Sequence, residues 1–224
     1  MERLNSYIDK MPNTLFIREL TESDLPAVAG VHIKAFADSL LTRMGKRVVH
    51  KFYRWQSQPP NDCYAIGAFI DEKLAGFCFS GFFYDAEVYF IMRYWYLTIP
   101  GFIKNPELIR QVKPFKRMRY IIKSRIRRIR DKKVKTQESR PAIKRYGVLS
   151  IAVSPSCQRF GVGRDLMKSV YMDALQKGFE LIQLSVHPDN EKAVKFYEKE
   201  GWTKDIDDKG TWSGVMVKIV RETL

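Results

Sequence analysis

Residues 150–164 read Ser-Ile-Ala-Val-Ser-Pro-Ser-Cys-Gln-Arg-Phe-Gly-Val-Gly-Arg, and no other stretch of the chain restricts the fold as much. An alternating apolar run ends in a loop with Gln158, Arg159, Gly161 and Gly163, and helical spacing begins directly behind it. A strand that empties through glycines into a helix directs several backbone N–H groups and the positive helix end at one spot. A pyrophosphate fits such a spot. A Cβ at either glycine would hold the backbone away from the phosphate oxygens, and Arg159 or Arg164 can add charge-assisted bonds. Taken alone, the same residues fit a tight strand-to-helix turn equally well.

The surrounding pattern gives this unit its place. Leu15 to Leu20 alternates as a short strand, Thr21-Glu-Ser-Asp24 reads as a cap, and Leu25, Val28, Val31 and Ala35 form a helical stripe. A second helical pattern runs from Asp38 to Trp55 through Leu41, Met44, Val48 and Phe52, and Pro59 and Pro60 stop it. Tyr64 to Ile70 and Leu74 to Phe83, joined by Asp71-Glu72-Lys73, read as a hairpin. After Tyr146 the order is strand (148–153), helix (161–177), strand (179–186), helix (190–200) and strand (215–220). Such alternation predicts an α/β (α+β) fold, a mixed central sheet flanked by helices. At 224 residues with 45% apolar content, the expectation is one domain over residues 1–224.

Residues 84–144 interrupt that rhythm and read as an insertion. Val88 to Phe102 is apolar and aromatic but holds Arg93, and with Pro100 counted as a break it is too short to span a bilayer. Phe115, Met118, Ile122, Ile126 and Ile129 then lie on one helical stripe among Arg and Lys, a basic amphipathic helix. From Lys104 to Arg145 there are 17 Lys and Arg against 3 Asp and Glu, and 22 of each sign elsewhere, so the net +14 resides in this one stretch. That concentration points to a local anionic partner. The first residues lack the apolar run of a secretory signal, so a cytoplasmic location is expected. Cys63, Cys78 and Cys157 are far apart and form no cluster with the three histidines, so neither a metal site nor a disulfide is expected.

The loop with Gln158, Gly161 and Gly163, followed by Asn190-Glu-Lys-Ala-Val-Lys-Phe196-Tyr197-Glu-Lys-Glu-Gly201-Trp202, resembles the two cofactor motifs of the GNAT superfamily of acetyl-CoA-dependent N-acetyltransferases. The strand, two helices and hairpin of residues 15–83 match the N-terminal half of that family in order. The resemblance implies the GNAT fold, with its mostly antiparallel central sheet, and an acetyl group transferred from acetyl-CoA to a small-molecule amine by direct attack. It implies a cofactor site of Ile151, Ala152 and Val153 along the pantetheine arm and Gln158, Arg159, Phe160, Gly161, Val162, Gly163 and Arg164 around the pyrophosphate, with Asn190, Phe196 and Tyr197 beside them. Tyr197 is the candidate proton donor to the departing thiolate, with core packing as its plain alternative.

The general base is missing from the expected strand. Many relatives carry a carboxylate there, whereas Gly147-Val-Leu-Ser150 supplies none, and Leu149 stands at the place in question. His187 is a candidate catalytic base by its ordinary pKa, although His187-Pro-Asp-Asn190 also reads as a turn and helix cap; Asp38 and a water chain remain open. His32, Phe36, Ser39, Gly45, Phe52 and Tyr53 resemble bacterial members found among cell-envelope sugar genes, which implies an amino group on a sugar or other small metabolite as the acceptor. Residues 104–145 would then meet a nucleotide-sugar phosphate or an anionic membrane surface, peripheral to the inner membrane. A rival reading is a catalytically weak module of this fold that binds membrane or nucleic acid. The aromatics precede the basic run instead of interleaving with it, so no nucleic-acid partner is expected. The oligomeric state is left open.

Overall fold

The computed structural model describes residues 15–59, 61, 63–81, 86–108, 145–207 and 210–220. Strand β1 (Leu15–Glu19) leads into a 3-10 turn whose capping box uses Thr21 and Asp24, and helix α1 (Leu25–Ala35) follows with Pro26 in its first turn. Asp24 also takes both guanidinium nitrogens of Arg18 at 2.7 and 2.8 Å. The guanidinium holds the Asp24 carboxyl well below the usual carboxylate range.

The expected single helix over 38–55 is two helices, α2 (Leu40–Met44) and α3 (Lys46–Gln56). Gly45, at φ 106°, takes a conformation that no side-chain-bearing residue holds cheaply, so the axis turns there while the buried face continues through Val48, Val49, Phe52 and Tyr53. Strands β2 (Tyr64–Ile70) and β3 (Lys73–Gly81) form the hairpin. Its turn is the two residues Asp71 and Glu72, both at positive φ, and Lys73 already pairs with Ile70.

Helices α4 (Ala86–Arg93) and α5 (Trp95–Lys104) occupy the start of the interrupting stretch. Pro100 does not break α5. It removes one N–H inside the helix, and Gly101 beside it lets α5 pack onto Met44 of α2. The basic amphipathic stripe expected at 115–135 lies outside the described residues. No described helix is long and apolar enough to cross a membrane.

Strand β4 (Arg145–Val153) re-enters the sheet three residues earlier than the alternation alone indicates. Helix α6 (Val162–Gln176), strand β5 (Leu181–Ser185), helix α7 (Glu191–Lys199) and strand β7 (Trp212–Ile219) match the expected order. Between the last two stands β6 (Thr203–Ile206), which the sequence reading lacks because its Thr-Lys-Asp-Ile run is too short and polar for a period-two signal.

The seven described strands form one mixed sheet in the order β1-β2-β3-β4-β5-β7-β6, with β4 and β5 the single parallel pair among them. One face packs Val162, Leu166 and Val170 of α6 and Tyr197 of α7 against Ile66 and Ile182. The other packs Leu25 and Val28 of α1, Phe52 and Tyr53 of α3 and Phe90 of α4 against Phe77 and Phe79 of β3. Each fully buried large side chain contributes roughly 1.5–3 kcal/mol of transfer free energy, so both layers hold the sheet firmly.

Candidate functional site

Two parallel strands that begin together come apart at the middle of the sheet. Strand β4 pairs with β5 only at Arg145↔Leu181, Tyr146↔Ile182 and Gly147↔Gln183, and the register goes no further. The rest of β4 is held from its other side, where Cys78 pairs with Ile151, Phe77 with Ala152 and Gly76 with Val153. From Val148 to Val153 the edge of β4 toward β5 therefore offers backbone N–H and C=O groups that the sheet does not use, an edge that an extended amide-bearing arm can join as a strand would.

A bulge marks the top of that edge. Phe79 pairs with Ser150 and Ser80 with Val148, so Leu149 has no partner in β3. One extra residue re-aims the side chains, and Leu149 and Ser150 both meet the layer of α1 and α3, Leu149 by apolar packing and Ser150 by a 2.9 Å hydrogen bond to the Tyr53 hydroxyl.

Below the bulge, β4 runs into a 3-10 turn (Pro155–Cys157) and then Gln158 to Gly161. Arg159 and Gly161 both have positive φ, 72° and 80°. For arginine that conformation is costly, and residues so held concentrate where backbone groups must converge. Gly161 is the N-cap of α6 and no side chain caps the helix, so its first N–H groups remain available to an outside acceptor. A Cβ at Gly163 would stand 3.4 Å from the Phe196 ring and 3.8 Å from Val153, which ties the helix start, α7 and β4 into one cradle.

The remaining site residues sort by surroundings. Val162 is buried under the sheet, Phe160 is exposed, and Arg164 is exposed with its Nε donating to Glu200 at 2.8 Å. Asn190 caps α7, its side chain accepting from the Ala193 N–H at 3.2 Å. Tyr197 is almost wholly buried, with ring centroids 5.3 Å from Phe196 and 5.9 Å from Trp202, and burial pushes its hydroxyl well above the usual phenol range. His187 lies directly before this cap, its carbonyl accepting the Asn190 N–H at 2.9 Å. Its side chain is 75% exposed and accepts the Asp189 N–H at 3.3 Å, the turn geometry of its sequence. Asp38 is exposed beside α2.

Spacing does not indicate one group that the structure brings together, the polar chain of Ser150, Tyr53, His32 and Ser39, buried at its middle. Its signal was present in His32 and Tyr53 on otherwise apolar helical faces. Burial alone lowers His32 to about 4, so the ring is neutral.

These features fit acetyl-CoA: an unpaired strand edge for the amides of its arm, a convergent loop for its phosphates, and an apolar wall at Phe196. Residues 128–202 match the acetyltransferase (GNAT) family model. Solved structures of like fold include the ribosomal-protein-S18-alanine N-acetyltransferase from Escherichia coli, with TM-score 0.54 and 15% identity over 94% of this chain and 97% of that one. An N-acetyltransferase from Staphylococcus aureus Mu50 aligns with TM-score 0.55 and 11% identity over 93% and 100%. The paia N-acetyltransferase from Thermoplasma acidophilum, in complex with coenzyme A, aligns with TM-score 0.51 and 15% identity over 92% and 99%. At such identities the likeness establishes the fold. No curated protein matches by sequence.

Proposed function

We propose that this chain is an acetyltransferase of the GNAT type that uses acetyl-CoA and transfers the acetyl group, in a ternary complex, to a primary amine of an amino sugar or other small metabolite. The open edge of β4 beyond Gly147 is the observation that carries the reading. In it, the backbone of Ile151, Ala152 and Val153 holds the donor's arm, and the loop from Gln158 to Arg164 holds its phosphates. Phe196 lines the wall, and Asn190 fixes the start of α7 beside the arm. When bound, acetyl-CoA supplies an activated thioester. Tyr197, neutral in its buried position, gives a proton to the departing sulfur. The chain works as one domain in which residues 84–144 are an insertion. Isothermal titration with acetyl-CoA and with duplex DNA, followed by a screen of amine acceptors read by thiol release, tests this: heat with acetyl-CoA alone and transfer to an amine support it, and absence of acetyl-CoA binding overturns it.

A second reading concerns where the enzyme works. Trp95, Tyr96, Ile99 and Ile103 of α5 are all exposed, Ile103 by 75%, and spacings of three and four place them on one side of the helix. The chain that follows carries the excess of Lys and Arg. Exposed aromatics beside positive charge support attachment to an anionic membrane surface. The same charge would equally attract the phosphate of a nucleotide-sugar acceptor.

A further inference from the structure

The described part of β4 carries no carboxylate, yet an amine that attacks a thioester must lose a proton. Where the side chains of β4 turn toward α1 and α3, a connected set of polar groups begins instead. Ser150 Oγ lies 2.9 Å from Tyr53 Oη, Tyr53 Oη 2.7 Å from His32 Nδ1, and His32 Nε2 3.1 Å from Ser39 Oγ, which is 3.0 Å from Thr42 Oγ1. Five residues from β4, α3, α1, α2 and its N-cap thus form one path. Its middle is sealed, with Tyr53 at 0% and His32 at 4% exposure, while Ser150, Ser39 and Thr42 are half-buried.

Donor counting gives the path a direction. Ser39 Oγ accepts the Thr42 N–H at 3.2 Å and donates to Thr42 Oγ1, so toward His32 it can only accept, and Nε2 carries the ring proton. Nδ1 is then the acceptor and Tyr53 donates to it. The Tyr53 oxygen in turn accepts the Ser150 O–H. Every donor points from Ser150 toward Ser39, and the remaining lone pair of Ser150 is the acceptor at the β4 end.

We propose, on the basis of the acetyltransfer reading above, that Ser150, Tyr53 and His32 form a proton relay that takes the proton from the attacking amine and stands in for the carboxylate absent from β4. The nitrogen lone pair forms the N–C bond, and the nitrogen gives one proton to Ser150 Oγ. Ser150 passes its own to Tyr53, Tyr53 passes its own to His32 Nδ1, and the Nε2 proton moves to the half-buried Ser39 end and water. The C–S bond electrons leave with sulfur, which takes one proton. That proton comes from the Tyr197 hydroxyl, and one returning from water along the same path, then through water in the emptied site, restores Tyr197 and the first tautomer, so nitrogen has lost one proton, sulfur has gained one and no charge remains on the protein. Ser150 is the member that meets the amine, and Tyr53 and His32 act through it. His32 faces Tyr53, Ser39 and the Phe36 ring, and besides His32 the charges of Glu87 and the Cys78 thiol act on the Tyr53 hydroxyl, both keeping it protonated. A neutral ring suits a relay that exchanges tautomers rather than storing charge.

The test joins spectroscopy to kinetics on the full chain. Nitrogen-15 spectra of labelled protein should show His32 as the Nε2–H tautomer in the wild type, and Tyr53→Phe should shift the Nδ1 resonance, a readout independent of turnover. With the acceptor from the amine screen, Ser150→Ala should lower kcat at least tenfold with unchanged acetyl-CoA affinity, and Ser150→Thr should recover most of it. Tyr53→Phe and His32→Gln should lower kcat in the same way, with a loss that shrinks as rising pH lets hydroxide do the relay's work; a structural defect would give a pH-independent loss. A Ser150→Ala enzyme within threefold of wild type, or an Nδ1–H tautomer, overturns the relay while leaving the acetyltransfer reading intact. Acetyl-CoA binding without transfer to any amine overturns both.

Discussion

The Tyr53 hydroxyl reaches His32 Nδ1 at 2.7 Å across 21 residues of sequence, and this pair joins α3 to α1 inside the apolar layer. Both side chains sit among Phe36, Phe52, Phe77 and Phe79 with ring centroids 4.8 to 5.5 Å apart. A polar link in such surroundings is stable only while both partners keep their hydrogen-bonding states.

Acid should therefore weaken the fold through His32. Its folded pKa of about 4 lies below the ordinary 6.5, so the unfolded chain binds more protons between those values and stability falls as pH drops from 6.5 toward 4. The full difference corresponds to about 3 kcal/mol. Urea unfolding at pH 7.5 and 4.5 should show wild type losing roughly 2–3 kcal/mol more than His32→Gln loses, because carboxylates such as Asp24 titrate alike in both. Equal losses would mean that the ring is already solvated.

If the loop from Gln158 to Arg164 holds the phosphates, it should be sensitive to a branched side chain at Gly163. Gly163 faces Phe196 at 3.4 Å from a built Cβ, so a branched side chain there must displace the ring or the incoming phosphate. Gly163→Val should weaken acetyl-CoA binding at least tenfold, about 1.4 kcal/mol, in a protein whose circular dichroism is unchanged. Unchanged affinity measured by titration calorimetry would remove the loop from the cofactor site.

How much of this was legible differs by element. The loop from Gln158 to Arg164 and the cap at Asn190 are local devices, and spacing alone placed them. The break at Gly45 was not legible, because the apolar stripe keeps its period across the two helices and only the backbone reverses. Strand β6 was missed since its stability comes from pairing with β7, as in Thr203↔Val217, and not from its own apolar content. The bulge at Leu149 escaped for a related reason: a register shift is a relation between two strands. At His187 the turn was legible in His187-Pro-Asp-Asn190, a local sequence whose contacts form within three residues.

Tyr197→Phe should separate chemistry from packing. The ring contacts with Phe196 and Trp202 survive the change, so stability should move little. If the hydroxyl supplies the proton to sulfur, kcat should fall by a factor of roughly 100 to 10,000 with little change in the cofactor KM. Turnover within about threefold of wild type would assign the residue to packing.

The exposed side of α5 gives a prediction about location. Co-sedimentation should bring the protein down with anionic vesicles and not with neutral ones, and added salt should release it. Changing Trp95 and Tyr96 to serine should reduce binding without altering the melting temperature, since both are 60% exposed. A salt-sensitive KM without vesicle binding would identify the charge as an acceptor clamp, and neither effect would return α5 to plain scaffold.

Gly81 leaves the sheet directly opposite Gly147, its partner across β3 and β4. A chain that departs and returns at one rung can change length at little cost, since doubling a flexible loop adds only about 0.6 kcal/mol. As far as Leu108 the excursion is committed, because Phe90 and Leu108 are fully buried in the core. Residues 109–144, where the excess of Lys and Arg is concentrated, contribute no residue to the described strands. Descendants of this gene could thus change the charge of one stretch of sequence while the residues of all seven described strands are inherited unchanged.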